Sequence, residues 1–142
     1  MFELVPNLAK KDHVIDLKFC TVLFEDNAYY PWIFLVPCKD KVKNMTNLTM
    51  EERLQLMREM ALCEEAMVEL FHPSQTNVAM IDNKMLQLHV HIICRKEGDK
   101  SWPDIVWNKK FEPYKAAKKE EIISKIKKAI MIKMADGKYM QY

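Results

Sequence analysis

Residues 86–95 read Leu86-Gln87-Leu88-His89-Val90-His91-Ile92-Ile93-Cys94-Arg95. Apolar and polar side chains alternate over most of this stretch, the pattern of a β-strand. Side chains on a strand point to opposite faces in turn. Leu86, Leu88, Val90, Ile92 and Cys94 therefore form one apolar face, which packs on a core. Gln87, His89, His91, Ile93 and Arg95 form the other. Two imidazoles stand side by side there, their Cα atoms about 6.5–7 Å apart. Folding alone has no need of two histidines flanked by an amide and a guanidinium on one strand face. Chemistry is expected on this face, with His89 directed at the site and away from the core.

The neighbouring segments complete an α+β plan. Residues 17–24 are rich in β-branched and aromatic side chains and read as a strand, with residues 25–28 as the turn after it. Residues 32–36 are continuously apolar up to Pro37, as in a strand covered on both faces, and pair with the first strand as a hairpin. Residues 49–71 read as a helix. Thr49 and Glu52 form a capping box, and Leu56, Met60, Cys63, Met67 and Leu70 make one apolar stripe. Pro73 ends it. A short strand follows at 77–81, then the turn at Asp82-Asn83 and the histidine strand. Residues 98–107 form a loop. Residues 117–134 form a second helix with Ile122, Ile126 and Ile130 on its buried edge and Gly137 as its C-cap. The order β-β-α-β-β-α implies one domain over residues 1–142, an antiparallel sheet packed with two main helices.

Composition narrows the function classes. With 142 residues, 49% of them hydrophobic and 30% charged, the chain reads as an ordinary globular protein. Its net charge of +2 points to no polyanionic partner, so nucleic acid is not expected. Residues 109–138 carry ten lysines against four acidic residues, a local net charge of +6, read as a solvated helix face. Gly98 and Gly137 are the only glycines, which excludes a P-loop and a dinucleotide-binding fingerprint. Cys20, Cys38, Cys63 and Cys94 lack metal-ligand spacing and read as buried thiols in a reducing compartment. The first twelve residues have no continuous apolar core of a signal peptide. The longest apolar run, 29–38, is broken by Pro31 and Pro37 and is too short for a bilayer. A cytoplasmic protein without a membrane partner is expected.

Three readings of the histidine face compete. The first is the polar side of an amphipathic strand. The second is a metal site, because two imidazoles in H-x-H spacing can hold zinc. A third protein ligand is then needed, and His13 and His72 lie in unrelated segments. The third is transfer of a phosphoryl or nucleotidyl group, one histidine acting as nucleophile and the other groups holding phosphate.

Gln87-Leu88-His89-Val90-His91-Ile92-Ile93 resembles the histidine-triad (HIT) motif His-φ-His-φ-His-φ-φ, where φ is apolar, with Gln in place of the first histidine. The order of elements, Phe34-Leu35-Val36-Pro37 at the hairpin, Asn83 four residues before the motif, Arg95 after it and Ser101-Trp102-Pro103 beyond resemble one branch of that family. The resemblance spans about residues 17–107. It implies that His89 is the nucleophile and His91 a phosphate-binding group, with Gln87 beside them. It further implies that Asp26 or Asn27 meets the ribose hydroxyls and that Asn83 lies near the phosphates. Trp32 stands where many members have a further histidine, and Trp32 and Arg95 join the substrate-binding set. A homodimer is implied, with helix 49–71 and a strand at its interface. That helix has a second apolar stripe, Met50, Leu54, Met57 and Ala61.

The chemistry expected from these residues is hydrolysis at the α-phosphate of a nucleotide conjugate, a dinucleoside polyphosphate or a nucleoside phosphoramidate, through a nucleotidyl-histidine. Imidazole suits it because the neutral ring is available at pH 7. Hydrogen-bond donors on the non-bridging oxygens supply the charge stabilisation, so neither metal nor cofactor is required. Gln87 can donate and accept hydrogen bonds but never carries the charge a histidine can. The alternatives are a nucleotide-binding module of little turnover and the H-x-H metal protein.

Overall fold

The computed structural model describes residues 1–139. Five antiparallel strands form one open sheet: β1 (Asp12–Asp16), β2 (Cys20–Phe24), β3 (Trp32–Pro37), β4 (Gln75–Ala79) and β5 (Val90–Arg95), in spatial order β1-β2-β3-β5-β4. Three helices accompany them: the single turn α1 (Pro6–Ala9), α2 (Met50–Phe71) and α3 (Ala116–Ala135). This is the α+β plan of the sequence with one strand added. β1 is short and mostly polar, and only Val14 of its five residues is buried, so its sequence carries little strand signal. The residues between it and Cys20 turn the chain into β2, which is shorter than the expected 17–24.

α2 begins where its chemistry dictates. The Thr49 hydroxyl accepts from the Glu52 N–H, and the Glu52 carboxylate accepts from the Thr49 N–H, satisfying two otherwise free amides. Its end is His72 in the left-handed conformation (φ 49°), with Pro73 following. The buried face differs from the expected stripe. Leu56, Cys63 and Met67 are buried with Leu62, Ala66 and Glu59, whereas Met60 and Leu70 are only partly buried. Glu59 is tolerated because its carboxylate accepts from the N–H groups of Phe19 and Cys20 and from the Gln55 side chain. α3 buries Ile122, Ile126 and Ile130 as read from the sequence, and Gly137 follows at φ 71°. Three thiols are buried and Cys38 is exposed, against the expectation for all four.

β4 covers 75–79, two residues earlier than expected. β5 begins at Val90, its first residue paired with β3 (Leu35), and its pairing with β4 begins one residue later, at His91 with Ala79. Residues 86–89 therefore lie outside the ladder, and Leu86 is 63% exposed, against its assignment to the core face. Alternation still holds from Leu88 onward. Leu88, Val90, Ile92 and Cys94 join the large core under α2 and α3.

The opposite face of the sheet is covered too. Leu23, Trp32, Phe34, Val36 and Ile93 from β2, β3 and β5 pack with Leu8, Tyr30 and Val106, flanked by Phe2, Leu4, Val5 and Trp107. The chain's first residues and its 98–107 loop thus roof the face that carries the histidines. Among the described residues, no helix is long and apolar enough to cross a membrane.

Candidate active site

His89 and His91 face each other beneath this roof, their ring centroids 4.8 Å apart. Both are buried, His89 completely. Their proton positions follow from their partners. His89 Nδ1 lies 2.7 Å from the Gln87 carbonyl oxygen and 2.9 Å from Asp82 Oδ1. Both neighbours are acceptors, so Nδ1 carries the proton and Nε2 presents a lone pair. His91 is the mirror case. Its Nδ1 accepts from the Trp32 indole N–H at 3.1 Å, which leaves the proton of the neutral ring on Nε2. Both Nε2 atoms are buried and have no hydrogen-bond partner among the described residues. One site therefore holds a bare nitrogen lone pair and an unused N–H donor side by side.

The surroundings keep His91 neutral. Phe34 and Trp107 stand 4.9 and 5.1 Å from its ring centroid, with Trp32 at 5.7 Å. Burial among these rings pushes its pKa down to about 3, and the nearby His89 and Lys11 act in the same direction. Burial pushes the Asp82 carboxyl up, and the adjoining His89 ring pulls it back.

Asp82 went unassigned in the sequence, where Asp82-Asn83 reads only as a turn. Its Oδ1 also accepts from the His89 N–H at 3.2 Å, replacing the ladder partner that β4 no longer offers. Gln87 uses its side chain in an unforeseen way. Its Oε1 accepts from the Val5 N–H at 3.0 Å, and its Nε2 donates to the Glu3 carbonyl at 2.9 Å. The carboxamide thus clasps the N-terminal strap, more than eighty residues away in sequence.

The remaining candidates separate. Asp26 lines a cleft of about 520 Å³ with Lys10, Lys11, Lys84 and Lys119, and its Oδ1 accepts from the Tyr114 N–H. Lys11 joins this cleft to the histidines, because its ammonium lies 5.0 Å over the Phe34 ring. Asn83 is exposed in the turn beside Lys84. Asn27 is buried and accepts from the Tyr29 N–H in a local turn, so it does not open toward the cleft as a ribose ligand would. Trp32 is occupied with His91. Arg95, read as substrate-binding, is buried in a fixed network. It makes two bonds to Asp99 at 2.9 and 3.0 Å, another to Asn77, and lies over Tyr30 and Trp102. Its donors go to β4 and to the loop that delivers Trp107. His13 pairs with Asp16 on β1 and His72 caps α2, both apart from the imidazole pair. Among the described residues, no three His, Cys, Asp or Glu side chains gather as a metal site would require.

A family model described as the HIT domain matches residues 7–98, more than half of the chain. The chain belongs to the HIT domain family. Solved HIT structures agree with it over nearly their whole length. A histidine-triad protein from Bradyrhizobium japonicum is 31% identical with a TM-score of 0.88, over 91% of this chain and 98% of that one. One from Marinobacter aquaeolei has the same identity and TM-score, over 93% and 98%. Diadenosine triphosphate hydrolase from Plasmodium falciparum, at 20% identity and a TM-score of 0.61 over 97% and 86%, shares the fold. No curated protein matches. The matched segment holds both imidazoles, His89 just ahead of β5 and His91 on it.

Proposed function

We propose that this HIT protein hydrolyses a nucleotide conjugate at its α-phosphate, with His89 as nucleophile. The observation that carries this reading is the opposed proton arrangement of the pair: a lone pair on His89 Nε2 beside an N–H on His91 Nε2. His89 Nε2 attacks phosphorus in line and the leaving group departs, giving a nucleotidyl-histidine. Water then releases the nucleoside monophosphate. His91 Nε2–H donates to a non-bridging oxygen as charge builds there, in surroundings dry enough to strengthen the bond. Asp26 lines the cleft that would take the nucleoside, and its four lysines, against Asp12, Glu25 and Asp26, leave it a small positive excess for phosphate; Asn83 adjoins Lys84 of its wall. The substrate class is a dinucleoside polyphosphate, such as the one in the name of the Plasmodium hydrolase, or a nucleoside phosphoramidate. The test is AMP release from diadenosine triphosphate and from an AMP-amine. AMP release from either is expected, and none from both would overturn the reading.

Burial of both Nε2 atoms means that substrate meets them only after part of the roof moves. The strap at Phe2–Val5 is the piece held by Gln87. Gln87 would exchange the strap's backbone for a phosphate oxygen as substrate enters, reconciling its position with the phosphate role implied by the motif. Gln87→Ala should expose the histidines. Their modification by diethyl pyrocarbonate is expected to quicken roughly tenfold, on the scale of one or two lost hydrogen bonds, while turnover falls. Unchanged reactivity would remove Gln87 from this role. The same closed roof favours the second reading, a nucleotide-binding module of little turnover.

The homodimer also has a surface to use. Met50, Leu54 and Met57 on α2 are 64%, 49% and 59% exposed, and β4 is an outer edge of the sheet. We infer that a second copy covers them, since exposed apolar stripes beside an open edge invite association. Sedimentation at micromolar concentration should give a particle of two chains. A single-chain particle would contradict it.

A further inference from the structure

We propose that Asp82 is the positioning residue for His89: its carboxylate orients the ring and stabilises the positive charge that the ring acquires when Nε2 bonds to phosphorus. The inference rests on His89 being the nucleophile and concerns a residue outside the motif.

One oxygen does two things. Asp82 Oδ1 lies 2.9 Å from His89 Nδ1 and 3.2 Å from the His89 backbone N. It therefore pins the ring and the backbone of the same residue just ahead of β5, where ladder pairing has stopped. The Gln87 carbonyl, at 2.7 Å, already suffices to hold the proton on Nδ1. What the carbonyl lacks is a full negative charge. The Asp82 side chain is only 15% exposed and the imidazole is fully buried, so their interaction is poorly screened.

The charge matters in one step. As the Nε2–P bond forms, the bond from phosphorus to the leaving oxygen or nitrogen breaks, and the leaving group departs with that electron pair and takes a proton from solvent. The ring, still protonated at Nδ1, is now cationic. Opposite charges in contact attract strongly where water is largely excluded. The Asp82 contact therefore strengthens as the reaction proceeds, which is the condition for accelerating a step and not merely for binding. Water then attacks phosphorus, the Nε2–P pair returns to the ring and the water proton passes to solvent. Asp82 neither gains nor loses a proton, and it touches no substrate atom.

Asp82→Asn tests this, because it keeps the size and one acceptor oxygen and removes the charge. With diadenosine triphosphate, kcat should fall roughly 10- to 100-fold, the scale of one poorly screened charge contact, with KM within about twofold of wild type. Asp82→Glu should recover part of the loss. In substrate-free protein, the His89 Nδ1 proton, which donates to the Gln87 carbonyl beside the Asp82 charge, should move upfield in Asp82→Asn. A purely structural role would change KM or thermal stability and leave this resonance alone. An unchanged kcat, or an unmoved Nδ1 proton, in Asp82→Asn overturns the proposal. His89→Ala assayed alongside separates the two ideas. If it retains activity, the nucleophile reading fails and takes Asp82 with it. If it is inactive while Asp82→Asn is normal, only the Asp82 proposal fails.

Discussion

His89→Ala is expected to stop release of nucleoside monophosphate, with kcat lower by roughly 10⁴- to 10⁶-fold, the usual scale for loss of a nucleophile. Assays on diadenosine triphosphate and on an AMP-amine check it, since loss with only one would point to a leaving-group effect. The structure changes the expectation for folding. His89 is completely buried, so its removal leaves a hole under the roof. A loss of about 1–3 kcal/mol in unfolding free energy should accompany the loss of activity. Urea titration of the variant separates the two effects, because a folded yet inactive protein assigns the loss to chemistry. His91→Ala should cost less, roughly 100- to 1,000-fold, because it removes a donor to phosphate and not the bond-forming atom.

Arg95→Ala is expected to be the more damaging change to stability. The Arg95 side chain is 2% exposed and forms two bonds to Asp99, whose side chain is 9% exposed. Removing one partner leaves a buried carboxylate without its counter-charge, which typically costs about 3–5 kcal/mol. The loop carrying Ser101 and Trp102 should loosen with it, since Asp99 also accepts from their backbone N–H groups. Burial pushes the Asp99 carboxyl up, yet Arg95 and the N–H groups of Lys96 and Ser101 hold it below its ordinary value of 3.8. A carboxyl depressed in the folded state contributes stability above its unfolded pKa and loses it as pH falls through the folded one. Wild type should therefore lose this contribution below about pH 4, where the unfolded carboxyl takes up its proton. Arg95→Ala should lack that part of the acid sensitivity. Urea unfolding at pH 7 and pH 3 measures it. A variant as stable as wild type would return Arg95 to the solvent-facing, substrate-binding role its sequence position implies.

The difference between those two roles shows what sequence alone conveys. The period of two over Leu88–Arg95 is strong because one of its faces packs under two helices, and it places His89 and His91 correctly. The capping box of α2 and the isoleucine edge of α3 are equally plain, since both rest on contacts within a few residues. A polar strand face, however, reads as solvated unless something is known to cover it. The cover here comes from Phe2, Leu4 and Val5 at one end of the chain and Val106 and Trp107 toward the other. Nothing local to His91 announces them. Gln87 was visible as a departure from the motif, but its partners lie at Glu3 and Val5. Asp82 was nearer to recognition, since an acidic residue in the turn before a histidine strand is a natural place to seek an imidazole partner. β1 was missed because a five-residue strand with one buried side chain has almost no periodic signal.

The stereochemical course at phosphorus tests the central claim most directly. A nucleotide conjugate with a chiral thio-substituted α-phosphorus would be turned over in ¹⁸O-labelled water and the configuration of the released monophosphate determined. Attack by His89 followed by attack of water is two in-line displacements, so the account predicts overall retention. Inversion would mean that water attacks phosphorus directly, and it would contradict a covalent role for His89.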